Sequence, residues 1–293
     1  MNAIETNHLT KFYGSARGIE DLELTVEQGD FFGFIGPNGA GKSTTIRTLL
    51  GLISPTSGDA KVLGLDIRKD KTEILARVGY LPSEITFYPG MKVKDVLRLS
   101  AGLRRQNCDR EAEALCQRLQ LDQSRPVEDL SLGNRKKVGI VCALQHNPEL
   151  LILDEATSGL DPLMQREFFA ILEERHRAGA TVFLSSHVLS EIQRHCSRAA
   201  IIREGRLAAC GDVAELSKTS AKRVTIHGKG DLSRLPGVRD LRETQDGRTF
   251  LYSGDLRLLL QTLAGLPLTD VSIAEPDLEE VFLHYYTEGG DQA

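Results

Sequence analysis

The stretch Gly36-Pro37-Asn38-Gly39-Ala40-Gly41-Lys42-Ser43-Thr44 packs three glycines ahead of a Lys-Ser-Thr run. It fits G-x-x-x-x-G-K-[ST], follows the strand-like "DFFGFI" and opens a helical pattern, which is the context this motif requires. So few Cβ atoms let the backbone N–H groups of Gly36, Asn38, Gly39, Gly41 and Thr44 converge on one anion, with the positive end of the helix dipole behind them. Lys42 is placed to reach the β- and γ-phosphates of a nucleoside triphosphate, and the Ser43 hydroxyl to ligate Mg²⁺. A second group stands further on, where Leu150-Leu151-Ile152-Leu153 runs into Asp154-Glu155. Aliphatics ending in two carboxylates are costly unless a cation waits at the strand end. Asp154 is expected to hold Mg²⁺ directly or through water. Glu155, pointing elsewhere, suits polarising an attacking water, a role worth ~10²–10⁴ in rate. Hydrolysis of a nucleoside triphosphate is the chemistry these residues can do.

The elements that must position them follow from hydrophobic periodicity. Strands are expected at 3–9, 19–26 and 31–35, then a helix ending near Gly51 and a strand at 60–63. Helical spacing takes over at 93–103, 111–119 and 135–144. Beyond it come a strand at 150–154, a helix at 162–177, a strand at 181–185, a helix at 190–196 and a strand at 199–203. That order implies an α/β fold, a parallel sheet with a helical insert at about 83–148. The polar run "AELSKTSAKR" suggests a boundary, dividing 1–217 from a small α+β module at 218–293 with strands at 223–228 and 249–254 and a helix at 257–266. Leu278, Val281, Phe282 and Tyr285 sit at helical spacing and read equally as the plain docking of a terminal helix or as a functional ending.

Composition excludes several classes. The net charge of −5 over 293 residues gives no argument for a nucleic-acid partner, which would favour a basic face. Five cysteines, irregularly spaced with no C-x-x-C, suggest free thiols rather than a disulfide framework or zinc site. "MNAIETNHLTKFYG" lacks the apolar core of a signal peptide. No apolar run approaches the ~20 residues that span a bilayer, so a membrane role calls for a separate chain.

"DLSLGN", 129–134, precedes the helical run "RKKVGIVCAL" and reads either as an N-cap or as an anion site at a helix terminus. A phosphate loop, a helical insert, "LSLGN" and "LLILDEATSGLDP" in that order resemble the ATP-binding-cassette ATPases, over about residues 3–215. The resemblance implies a cassette whose mainly parallel core sheet is joined by an N-terminal antiparallel β subdomain and the helical insert. It implies ATP and Mg²⁺ as ligands. It also implies a head-to-tail dimer in which Ser131 and Gly133 contact the γ-phosphate of ATP held by a second ATPase subunit, in a homodimer or a heterodimer. Tyr13, in "TKFYGS", matches the aromatic that stacks on adenine; a lone loop Tyr is otherwise a packing residue. Asp161, in "SGLDP", matches the loop that crosses the dimer interface and also suits the N-cap of the helix at Pro162. His187, after "TVFLSS", matches the histidine that senses the γ-phosphate. Ser83 stands where the family has a Mg²⁺-ligating glutamine, with Glu84 next to it. Leu132 and Asn134 replace a signature glycine and glutamine, and Ala156 a proline.

Within that family, "GYLPSE", "DLSLGNRKK", "DEATSGLDPLMQ" and "AEPDLEEVFLHYY" resemble the ATPases of bacterial exporters of drugs, antibiotics or lipids. These work with a separate multi-span membrane permease, so the implied location is peripheral, at the cytoplasmic face of the plasma membrane. Two alternatives stand beside this: a soluble ATPase acting on ribosomes or DNA, and a regulatory module that binds ATP with little turnover.

Overall fold

The computed structural model describes residues 1–216, 222–228, 232, 235–244 and 247–274. The chain divides into two compact units between Val213 and Ala214. The first opens with β1 (Asn2–Tyr13), β2 (Ala16–Leu22), β3 (Thr25–Glu27) and β4 (Phe31–Ile35). After the phosphate loop come α1 (Lys42–Leu49), β5 (Ser57–Val62), β6 (Leu65–Asp66), α2 (Lys71–Arg77) and β7 (Val78–Leu81). Three helices follow, α3 (Val93–Leu103), α4 (Asp109–Arg118) and α5 (Leu132–Leu144). β8 (Leu150–Asp154), α6 (Pro162–Arg177), β9 (Thr181–Ser186), α7 (Leu189–His195), β10 (Arg198–Arg203) and β11 (Arg206–Asp212) complete it, and α8 (Val213–Leu216) spans the division.

Two sheets build this unit. The core sheet has six strands in the order β11-β10-β4-β9-β8-β7, parallel except for the edge strand β11. The other is antiparallel, ordered β2-β1-β5-β6 with β3 also on β1. Every residue of β4, β8 and β9 is buried, as parallel strands covered on both faces must be. Phe183 of β9 stacks on Phe32 at 5.9 Å and meets Phe34 at 5.3 Å, welding β4 to β9 beneath the phosphate loop. The expected α/β cassette architecture is what the chain adopts.

The second unit has β12 (Lys222–Gly228), β13 (Val238–Thr244), β14 (Gly247–Tyr252), α9 (Leu256–Ala264) and β15 (Leu268–Ala274). Its antiparallel sheet runs β13-β14-β12-β15, and Val224, Ile226, Phe250 and Tyr252 pack with Leu259 and Leu263 of α9 as a core of their own. The terminal residues Leu278, Val281, Phe282 and Tyr285 lie outside the described residues.

Several elements depart from the periodicity. The single strand expected at 19–26 is two, β2 ending at Leu22 and β3 starting at Thr25, with the break at Glu23–Leu24. Thr6 bridges the break: its hydroxyl donates to the Leu22 carbonyl at 2.7 Å and accepts the Leu24 amide at 2.7 Å. α5 begins at Leu132, ahead of the expected 135, because Ser131 caps it and accepts the Asn134 amide at 3.3 Å. β7, α2, β11, β13 and β15 carried no clear signal. β15 is exposed along nearly its whole length, so its residues show no buried stripe to read.

Candidate nucleotide site

β4 ends in buried Ile35, and the chain must then turn with almost no room. A Cβ on Gly36 would stand 2.5 Å from the Ile202 carbonyl oxygen. Gly41 caps α1 at φ 109°, and a Cβ there would stand 2.6 Å from the Gly18 oxygen. The first turn of α1 has no acidic residue and no side-chain cap, so its amides face the loop without a competitor from the chain. Lys42 is 6% exposed. Its Nζ donates to the carbonyls of Gly36 at 2.6 Å and Pro37 at 3.2 Å and lies 3.3 Å from Glu155 Oε1.

β8 delivers the two carboxylates to the same place. Asp154 is 1% exposed; Ser43 Oγ donates to its Oδ2 at 2.7 Å and Ser185 Oγ to its Oδ1 at 3.0 Å. Among the described residues no basic side chain is within ion-pair distance of it. Glu155 has φ 49°, so its backbone turns away from the strand line and its carboxylate points elsewhere than that of Asp154. Its amide donates to the Ser185 carbonyl at 3.0 Å, and its Oε2 lies 2.6 Å from His187 Nδ1. Oε1, buried, has the Lys42 ammonium near it but no hydrogen bond. Below the Glu155 backbone, Lys136 Nζ donates to the carbonyls of Glu155, Pro82 and Ser83. Burial pulls the Lys136 ammonium down to about 8, although Asp154 and Glu155 pull it up.

A cleft of roughly 310 Å³ opens above the loop, walled by Tyr13, Arg17 and Gly18 on one side, Asn38, Gly39, Gly41 and Lys42 to Thr44 below, and Ser83 and Glu155 opposite. Tyr13 is 47% exposed at its mouth. Ser131, Gly133 and Asp161 are not among its walls. They gather elsewhere: a Cβ on Gly133 would stand 2.8 Å from the Gly159 oxygen, so the loop before α6 rests on the first turn of α5. Asp161 caps α6, its carboxylate accepting the Leu163 and Met164 amides at 3.0 Å each. Leu132 and Leu163 are left 66% and 71% exposed beside this cluster.

Among the described residues no group of three His, Cys, Asp or Glu side chains converges on a metal position. Mg²⁺ needs less, one or two carboxylates together with phosphate oxygens and water. A buried Asp154 with no cationic partner, joined to the Ser43 hydroxyl, fits that donor set. Sequence reasoning missed Ser185, Arg17 and Lys136. Lys136 did leave a trace: it falls on the buried stripe of α5 with Gly139, Ile140, Ala143 and Leu144.

A phosphate loop on a parallel sheet, a carboxylate strand two places along it and three helices inserted between β7 and β8 define a nucleotide-binding cassette. The pattern described as ABC transporter matches residues 19–158. The bacitracin transport ATP-binding protein BcrA of Bacillus licheniformis is 36% identical over 298 residues, covering 96% of each chain. The probable multidrug ABC transporter ATP-binding protein YbhF of Escherichia coli is 36% identical over 225 residues, 74% of this chain but 38% of that longer one. A solved ATP-binding subunit of an ABC transporter superposes with a TM-score of 0.69 at 30% identity, covering 73% of this chain and 91% of the other. The chain therefore belongs to the ABC transporter family, as an ATP-binding ATPase subunit. Among its described residues no helix is long and apolar enough to cross a membrane.

Proposed function

We propose that this subunit powers export of an antibiotic or drug through a separate multi-span membrane permease, working as a pair of cassettes closed around two Mg-ATP. The observation that carries the paired state is the division of the site: the cleft has the phosphate loop and Glu155 as walls but not Ser131, Gly133 or Asp161. A head-to-tail partner brings its own Ser131 and Gly133 to the γ-phosphate, and closure is driven because ATP binds the closed pair better than the open one. The likeness to the bacitracin transport protein BcrA along nearly the whole of both chains supports an antibiotic as the transported molecule, and pairing with a permease would hold the subunit at the cytoplasmic face of the plasma membrane.

Within one cleft, Tyr13 stacks on the adenine and the amides from Gly36 to Thr44 cradle the phosphates. ATP offers its phosphate oxygens to Lys42 in place of the Gly36 and Pro37 carbonyls, which draws the ammonium off Glu155. The freed Glu155 carboxylate then accepts a proton from the attacking water, and His187 orients the carboxylate and contacts the γ-phosphate. Ser43 and Asp154 would hold Mg²⁺, with Ser83 reaching it through water or the contact shifting to Glu84. When bound, Mg²⁺ neutralises charge that builds on the phosphoryl oxygens. Residues 218–293 are assigned an accessory role in stabilising or regulating the pair.

Glu155→Gln is expected to lower turnover by about 10²–10⁴-fold while ATP still binds, so that the nucleotide-bound pair accumulates and is seen by size-exclusion chromatography. A tagged pull-down from gently solubilised membranes should recover a multi-span protein in near-equal amount. Recovery with ribosomal or DNA-repair proteins from the soluble fraction would keep the ATPase and discard the transporter.

A further inference from the structure

Lys136 is 3% exposed, and the helix positions that share its face are apolar or glycine. Its Nζ is 3.2 Å from the Pro82 carbonyl, 3.2 Å from that of Ser83 and 3.0 Å from that of Glu155. An ammonium has three donors and no acceptor, so all of its capacity is spent on backbone oxygens. Among the described residues no carboxylate is within ion-pair distance of it. A cation buried on neutral acceptors is costly beside an apolar side chain of the same length, so stability does not account for a lysine here.

Geometry does account for it. Glu155 occupies the left-handed region at φ 49°, which a residue with a Cβ disfavours and which persists where the surroundings fix it. Its amide is tied to the Ser185 carbonyl at 3.0 Å, and its carbonyl accepts Lys136 at 3.0 Å and the Ser158 amide at 3.3 Å. The lysine comes from α5, which presses on the loop after β7 so closely that a Cβ on Gly139 would stand 2.3 Å from Ile85 Cδ1.

We propose that Lys136 is a positioning residue for hydrolysis: its ammonium clamps the Glu155 carbonyl to the Pro82–Ser83 backbone, fixes the left-handed turn at Glu155 and so holds the carboxylate at the phosphate side of the cleft. The assignment rests on the reading of Glu155 as the group that activates water. It joins three places in one polar contact, the Ser83 loop, the Glu155 turn and the helix capped by Ser131. A shift of either of the others is then felt at Glu155.

The test uses the purified full chain with Mg-ATP and compares Lys136→Met, Lys136→Gln, Glu155→Gln and the Lys136→Met/Glu155→Gln double variant. Turnover is read beside the ATP dissociation constant and the melting temperature. Lys136→Met is expected to lower kcat by about 10²-fold with ATP affinity unchanged and a melting temperature that moves little, the removal of a buried charge offsetting the carbonyls left without a donor. Lys136→Gln keeps amide donors for these carbonyls and should recover part of kcat. In the double variant the methionine should add no loss to that of Glu155→Gln. Wild-type kcat in Lys136→Met, a matching loss of ATP affinity, or a further loss in the Glu155→Gln background would each overturn the assignment. Glu155→Gln inactive with Lys136→Met active removes Lys136 alone; Glu155→Gln active removes the reading of Glu155 and this assignment with it. Should Lys136→Met fail to fold, an intermediate kcat at unchanged affinity in Lys136→Gln supports the assignment, and wild-type kcat in that variant overturns it.

Discussion

Asp154 receives one hydroxyl on each carboxylate oxygen, from Ser43 and from Ser185. Ser185→Ala removes the donor to a buried charged oxygen and is expected to cost about 1–3 kcal/mol in urea unfolding. Ser43 and Asp154 were legible because a loop motif and a strand ending in acids carry them. Ser185 was not, since it matters through the pairing of β9 with β8, which sets Ser185 opposite Asp154. Lys136 showed only as a charge on an apolar stripe, and its role was hidden because its partners are carbonyl oxygens, which every residue owns and no sequence marks. His146 supplies a pH dependence. Its Nε2 lies 3.2 Å from the Val78 carbonyl, its Nδ1 is buried without a partner, and burial pulls its pKa down to about 4 with Arg104 adding to the fall. The unfolded chain takes up this proton near 6.5 and the native one refuses it. The contribution of neutral His146 is therefore full above about 6.5 and is lost as pH falls toward about 4. Urea midpoints at neutral and mildly acidic pH should fall more steeply for the wild type than for His146→Asn; equal slopes would reject this.

Caps rather than propensities decide where the helices of the site begin. Ser131 and Asp161 both cap, and both belong to the group proposed to face a second cassette, so each does structural work in the single chain. Asp161→Ala is expected to cost about 0.5–2 kcal/mol of stability, whereas Asp161→Asn, an equal cap, should keep it. If Asp161→Asn nevertheless slows hydrolysis, the charge acts beyond the cap; unchanged turnover would confine Asp161 to the helix end. The expected helices and parallel strands of the site were read closely because burial on one face gives the helices a period and burial on both faces gives the strands an unbroken apolar run. The split between β2 and β3 hangs on one threonine from another strand, and β15 has no buried face, so neither leaves a local pattern.

For the whole molecule, the proposed division of the site between two copies has a consequence in mixtures. Lys42→Ala disables the phosphate loop and Ser131→Arg the surface offered to the partner. Each alone should be inactive, while an equal mixture assembles pairs with one intact site and regains up to about a quarter of wild-type turnover. No recovery on mixing would place Ser131 in the service of its own chain. All the walls of the cleft lie in the first unit, and the second has a core of its own. Deleting 218–293 should therefore leave ATP affinity where it was, and a change in self-association by light scattering would assign that segment to the pair. That unit was the least legible part of the chain, because β13 and β15 have too few buried positions to mark a strand.

Tyr13 stands half-exposed at the lip of the cleft in a molecule that contains no tryptophan. The protein is thus optically silent in the indole band. Tyr13→Trp would give it a single indole, excited apart from the five remaining tyrosines and seated where the base is proposed to lie. Its quenching on nucleotide addition would time entry and departure of the base without any label, turnover by turnover.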